Sequence, residues 1–214
     1  EIPLANGGAI TIDPFDGAII ALSGGFDYSI NKVNHVLNKG RQPGSSFKPF
    51  IYSAALEQGA NASTILLDAP VVMSSGDLEQ DWRPSNYSGK FYGEQRLREA
   101  LVRSMNLATV RLLMDKVGIE NAVNHIKKFG FSEEDLPKNG GLALGAGSAS
   151  PLDMAQAYSV FANGGYRIEP YIIFTSKYYP AYKNNFLDVV KNLTSNKKTL
   201  IHGDFSPKNI LIGK

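Results

Sequence analysis

Two short clusters of side chains have the types and spacing for nucleophilic chemistry. Ser45 stands three residues ahead of Lys48 within Arg41-Gln42-Pro43-Gly44-Ser45-Ser46-Phe47-Lys48-Pro49-Phe50. On a helix, positions i and i+3 share a face, so the Lys48 amine can sit over the Ser45 hydroxyl and take its proton. The second cluster is Ser104-Met105-Asn106. Its hydroxyl can relay a proton between Lys48 and a leaving group, and its carboxamide can hold an amide of the substrate.

These roles require a helix that starts at the nucleophile. Pro43-Gly44 punctuates the chain just before it, and Phe47, Phe50, Ile51, Ala54 and Ala55 recur at helical spacing up to Gly59, a natural stop. A lysine lodged against such an apolar helix, near its positive N-terminal dipole, loses affinity for its proton and becomes a base near neutral pH. Ser104 and Asn106 fall within a second helical pattern carrying Leu97, Leu101, Ala108 and Leu112, expected to run from about Glu94 to Val117 and to stop at Gly118.

The two clusters, with the Arg-Gln-Pro-Gly lead-in, resemble the transpeptidase domain of class A penicillin-binding proteins, whose motif set is Ser-x-x-Lys, Ser-Asp-Asn and Lys-Thr-Gly. Met105 stands where that pattern has aspartate. The resemblance spans about residues 1–172. It includes Gly8–Pro14 and Gly17–Gly25 as the first two strands, joined by the turn Asp13-Pro14-Phe15-Asp16-Gly17. Trp82-Arg83-Pro84-Ser85-Asn86-Tyr87 matches the loop before the second-motif helix, and Leu142-Ala143-Leu144-Gly145 and Phe161-Ala162-Asn163-Gly164-Gly165 match later landmarks. These glycine-rich and aromatic positions are expected to serve folding rather than chemistry.

The resemblance implies a serine D,D-transpeptidase that cross-links peptidoglycan stem peptides and is acylated by β-lactams. Ser45 would be the nucleophile, Lys48 the base, Ser104 the proton relay and Asn106 a substrate ligand, with no cofactor and no metal. It also implies work at the periplasmic face of the bacterial inner membrane. The family's membrane anchor has no counterpart in these residues, which hold no signal peptide and no apolar run of membrane-spanning length. The third motif, Lys-Thr-Gly, does not occur in the sequence; Lys198-Thr199-Leu200 approaches it with a bulky Leu in place of Gly. That strand carries an oxyanion donor and the carboxylate site in the family, so impaired acylation is expected of these residues alone.

The segment Thr199–Ile212 reads as strand, tight loop, strand, with Asp204 five residues before Asn209. In the catalytic loop of protein kinases an Asp orients the nucleophilic hydroxyl and an Asn at this separation binds magnesium. With Gly203 at the second position, the segment resembles the aminoglycoside and choline phosphotransferase family. That resemblance implies Asp204 as base, Asn209 as metal ligand, His202 as a brace for the loop, and ATP and Mg as cofactors. Neither a glycine-rich phosphate-covering strand pair nor a second metal-binding Asp accompanies it, so an inactive composite is a further alternative.

Charge marks a seam at the same place. Residues 174–214 hold seven Lys, no Arg and two acidic residues, a net of +5, whereas residues 1–173 carry all seven Arg and a net of −3. The expectation is a composite chain, with a transpeptidase fragment over 1–172 and a phosphotransferase-like fragment over 173–214. The tail lysines are dispersed among apolar residues, so no nucleic-acid partner is expected. With 214 residues and 43% hydrophobic content the chain can bury one sizeable core. The absence of cysteine excludes a disulfide scaffold and a Cys₂His₂ zinc site.

The expected fold is α+β, a helical cluster on an antiparallel sheet in the manner of penicillin-binding proteins and serine β-lactamases, incomplete and followed by a short kinase-like fragment. An N-terminal hairpin precedes the nucleophile helix. A loop-rich stretch follows from Ala60 to Gly93, then helices over 94–117 and 119–129 and a fourth opening at Ser150-Pro151-Leu152-Asp153 and closing at Gly164. His125 is expected at the surface, and neither it nor His35 has a defined spacing to Ser45.

Overall fold

The computed structural model describes residues 5–72 and 82–172. These fall into two compact units, one formed by the chain up to Asn38 and from Ser150 onward, the other by Lys39–Ala149.

In the first unit, β1 (Ala9–Ile12) and β2 (Ile19–Ser23) form the expected antiparallel hairpin. Asp13 builds its turn, since its side chain accepts from Phe15 N at 2.8 Å and its backbone closes on Gly17 and Ala18. Beyond the hairpin, Tyr171 bonds in parallel alongside Ala18 through Tyr171 N to Gly17 O and Ile19 N to Tyr171 O, at 2.9 and 2.7 Å. The β2 edge therefore gains a backbone partner at its start. Helix α5 (Pro151–Ala162) packs on β1. It begins with a full capping box in which Ser150 and Asp153 bond each other's backbone N–H, with Pro at the first position.

The second unit holds both chemical clusters. A 3₁₀ turn, Gly44–Phe47, leads into α1 (Lys48–Glu57), which ends at Gln58 before the left-handed Gly59. One face of α1 supplies the centre of the core. Phe50 is fully buried, with ring centroids 5.1–5.2 Å from Phe47, Phe129 and Phe131. Helix α4 (Ile119–Lys127) packs against α1 and ends two residues earlier than periodicity suggests. The chain turns there toward Gly130 at φ 104°.

Two strands were not expected. β3 (Ile65–Asp68) pairs antiparallel with β4 (Gly93–Arg96) inside and beside the stretch read as loop. In β3 the exposed positions are Ile65 and Leu67 and the buried ones Leu66 and Asp68. A strand that buries an acid and exposes an isoleucine defeats a reading by hydrophobic alternation. β4, Gly-Glu-Gln-Arg, has no apolar residue to signal it.

The single helix expected over 94–117 is instead β4, α2 (Leu97–Val102), α3 (Asn106–Arg111) and a π-helical stretch, Leu112–Val117, closed by Gly118. The kinase-like segment and the tail that was to follow the seam, residues 173–214, lie outside the described residues, as does Lys198-Thr199-Leu200.

The aromatic cluster under α1 predicts the first test. Replacing Phe50 by Ala removes a ring that meets three others, and should lower unfolding free energy by about 3–5 kcal/mol in denaturant titrations.

Candidate active site

The break between α2 and α3 is what turns the second cluster toward Lys48. Ser104 N donates to Leu101 O and Met105 N to Ala100 O, both at 2.9 Å, the paired bonds of a Schellman helix end. The first of these two donors, just past the helix cap, must be left-handed, a position usually held by Gly. Here it is Ser104 at φ 52°, the one non-glycine residue with positive φ among the described residues. Such a conformation costs a side-chain-bearing residue about 1–2 kcal/mol. The turn directs both the carbonyl and the hydroxyl of Ser104 at the lysine.

Lys48 Nζ donates to Ser104 O at 2.6 Å, Ser104 Oγ at 3.0 Å and Asn106 Oδ1 at 2.7 Å. An ammonium has three N–H bonds, and these three oxygens account for all of them. The side chain is buried, while Ser104 and Ser45 are exposed. Burial pulls the Lys48 amine down from its ordinary value to about 8. Once neutral, the amine keeps two N–H donors for Ser104 O and Asn106 Oδ1 and turns its lone pair toward a hydroxyl.

Ser45 lies in the 3₁₀ turn, one turn ahead of the lysine's own helix. No hydrogen bond joins Ser45 Oγ to Lys48 Nζ; the charged amine is drawn to the second cluster instead. The turn that carries Ser45 is pinned from behind by glycine against glycine. Gly44 N donates to Gly145 O at 3.2 Å, and a Cβ on Gly145 would come within 2.2 Å of Gly44 O. The Leu142–Gly145 landmark, expected to serve folding alone, thus sets the backbone under Ser45.

A second strut ties α1 to α3 one turn beyond the lysine. Thr109 Oγ1 donates to Met105 O at 2.6 Å, so the Tyr52 hydroxyl donates to Thr109 Oγ1 at 3.1 Å. Tyr52 is buried, and burial pushes its hydroxyl up to about 12.

His125, expected at the surface, is largely covered and bonded on both ring nitrogens. Its ring bonds Ser53 Oγ at 2.9 Å through Nε2 and Glu57 through Nδ1, with the Phe129 ring alongside. This hydroxyl, imidazole and carboxylate align as in a serine triad. Ser53, however, sits mid-helix, where backbone N–H groups are spent on the helix ladder and cannot form an oxyanion hole. Asp204, Asn209 and His202 lie outside the described residues.

The sequence matches the family described as the penicillin binding protein transpeptidase domain over residues 7–208. The chain belongs to that family. Penicillin-binding protein 1A of Pseudomonas aeruginosa is 48% identical over 173 residues, which cover 81% of this chain and 21% of that protein. The crystal structure of penicillin-binding protein 1A from Haemophilus influenzae superposes with a TM-score of 0.76 at 40% identity, covering 80% of this chain and 25% of that one. PonA1 of Mycobacterium tuberculosis in complex with penicillin V gives 0.66 at 28% identity, covering 78% and 45%. The chain thus spans about a fifth of the length of its curated relative in Pseudomonas. The family match runs through the seam expected at residue 173.

Two outcomes follow from the geometry. In the unliganded protein, the Lys48 amine should titrate with a midpoint near 8, read by NMR of lysine labelled at Cε, so its neutral fraction rises with pH through that value. Ser104→Gly should relieve the left-handed strain, offset in part by glycine's greater unfolded entropy. It should gain between a few tenths and about 1 kcal/mol in denaturant unfolding.

Proposed function

We propose that this chain carries the acyl-transfer centre of a serine D,D-transpeptidase of peptidoglycan cross-linking. The observation that carries the reading is Lys48, buried and depressed to about 8, bonded to Ser104 and Asn106 and one turn from an exposed Ser45. Membership of the transpeptidase family supports it.

In this mechanism neutral Lys48 accepts the Ser45 proton as Oγ attacks the carbonyl between the terminal two D-alanines of a stem peptide. The C–N bond breaks, and the proton passes through Ser104 Oγ to the departing D-alanine amine. The resulting ester is resolved by an amine from a neighbouring strand, whose proton returns along the same path. A β-lactam acylates Ser45 in the same way and leaves no departing amine. That PonA1 has been solved with penicillin V supports this class of ligand. Protons and electrons balance with Ser45, Lys48 and Ser104 alone, so no cofactor or metal enters.

Asn106 takes a narrower role than its type alone suggests. Its Oδ1 is committed to Lys48 and one Nδ2 hydrogen to Ser85 O at 2.8 Å, leaving one N–H for a substrate carbonyl. The Ser45 backbone N–H lies in the first helical turn, before intrahelical partners begin, and serves as one oxyanion donor. The site would face the periplasm. Among the described residues no helix is long and apolar enough to cross a membrane.

Labelling with a fluorescent penicillin tests the reading. Ser45→Ala should abolish it, and Lys48→Met should slow it about 10²–10⁴-fold without unfolding the chain. Without a Lys-Thr-Gly strand among these residues, the labelling should be slow, by roughly two to three orders of magnitude for one lost oxyanion donor. Labelling that persists in Ser45→Ala would refute the assignment.

A further inference from the structure

Asp68 ends β3 with no exposed surface, and among the described residues no Lys, Arg or His pairs with it. A buried carboxylate without a counter-cation is costly unless hydrogen bonds replace its water. Its partners are Tyr92 N at 2.9 Å and the Asn86 amide, whose Nδ2 lies 2.9 and 2.8 Å from the two carboxylate oxygens. Asn86 Nδ2 also donates to Lys90 O at 2.9 Å.

The consequence lies at the other end of the amide. Because the carboxylate can only accept, it fixes Nδ2 toward itself and Oδ1 away. Asn86 Oδ1 accepts from Asn106 N at 2.8 Å and, more weakly, from Leu107 N at 3.4 Å. These are the first N–H groups of α3, which have no intrahelical partner, and Met105 offers no side-chain cap. The adjacent Ser85 O takes the Asn106 side chain at 2.8 Å. Asn106 is therefore gripped by backbone and side chain together, and its remaining Oδ1 is presented to Lys48 at 2.7 Å.

We propose that Asp68 and Asn86 are positioning residues of the acyl-transfer site, acting in series through Asn106 to hold the second cluster over the Lys48 amine. Neither touches substrate. The carboxylate is the anchor, the Asn86 amide is the coupler, and Asn106 is the element they orient. The importance of this line for acylation rests on the transpeptidase reading, but its effect on Lys48 does not.

The test therefore reads both. In the full chain with lysine labelled at Cε, Asn86→Leu is expected to raise the Lys48 titration midpoint by about one unit toward the ordinary lysine value, as a loosened Asn106 and Ser104 admit water to the amine. Fluorescent-penicillin acylation at pH 7 should fall about 10–100-fold in the same variant. If Asn86→Leu does not fold, Asp68→Asn carries the test. It removes the charge and frees the Asn86 amide to turn over, and should move the midpoint the same way. An unchanged Lys48 midpoint in the folded variant overturns the proposal, whatever happens to labelling. A shifted midpoint in a chain that never labels supports the positioning line and refutes acyl transfer instead.

Discussion

The site depends on keeping an amine out of water with its proton loosely held. Lys48 occupies a buried position on α1 where water cannot solvate the ammonium, and three protein oxygens replace that solvation only in part. The shortfall is what brings the amine to about 8. An amine of that strength is neutral in roughly one molecule in ten at pH 7, which is what the proposed role as a general base requires.

The surrounding structure is arranged around that balance. Ser104 holds a left-handed backbone in which its carbonyl and hydroxyl both meet the amine. Tyr52 and Thr109 fix the start of α3 to α1 a turn below the lysine. Gly44 and Gly145 hold the Ser45 turn by a backbone approach that leaves no room for a side chain on Gly145. The strain at Ser104 is borne by close packing around α1.

The turn and helix that carry Ser45 and Lys48 were legible because the Pro-Gly lead-in and Gly59 bound them and the apolar residues between recur at helical spacing. The capping box of α5 was equally legible, since Ser150 and Asp153 bond as their types predict. The helix break at Ser104 was not, because a Schellman end is normally announced by glycine and here serine holds that position. β3 was hidden by its inverted burial, and Asp68 and Asn86 were invisible as a pair because 18 residues separate them in sequence. The charge seam near residue 173 was legible as composition, yet the family match continues to residue 208.

Among the described residues, Ser45 stands one turn from Lys48 with its hydroxyl unbonded to the amine, and Ser53 bonds the His125 ring. The site of covalent modification decides between them. Mapping the penicilloyl adduct by peptide mass spectrometry after exposure to benzylpenicillin should place it on the peptide bearing Ser45, forming at a rate that climbs with pH to half its plateau near pH 8. An adduct on Ser53, or one on Ser45 whose rate of formation ignores pH between 6 and 9, would contradict the account.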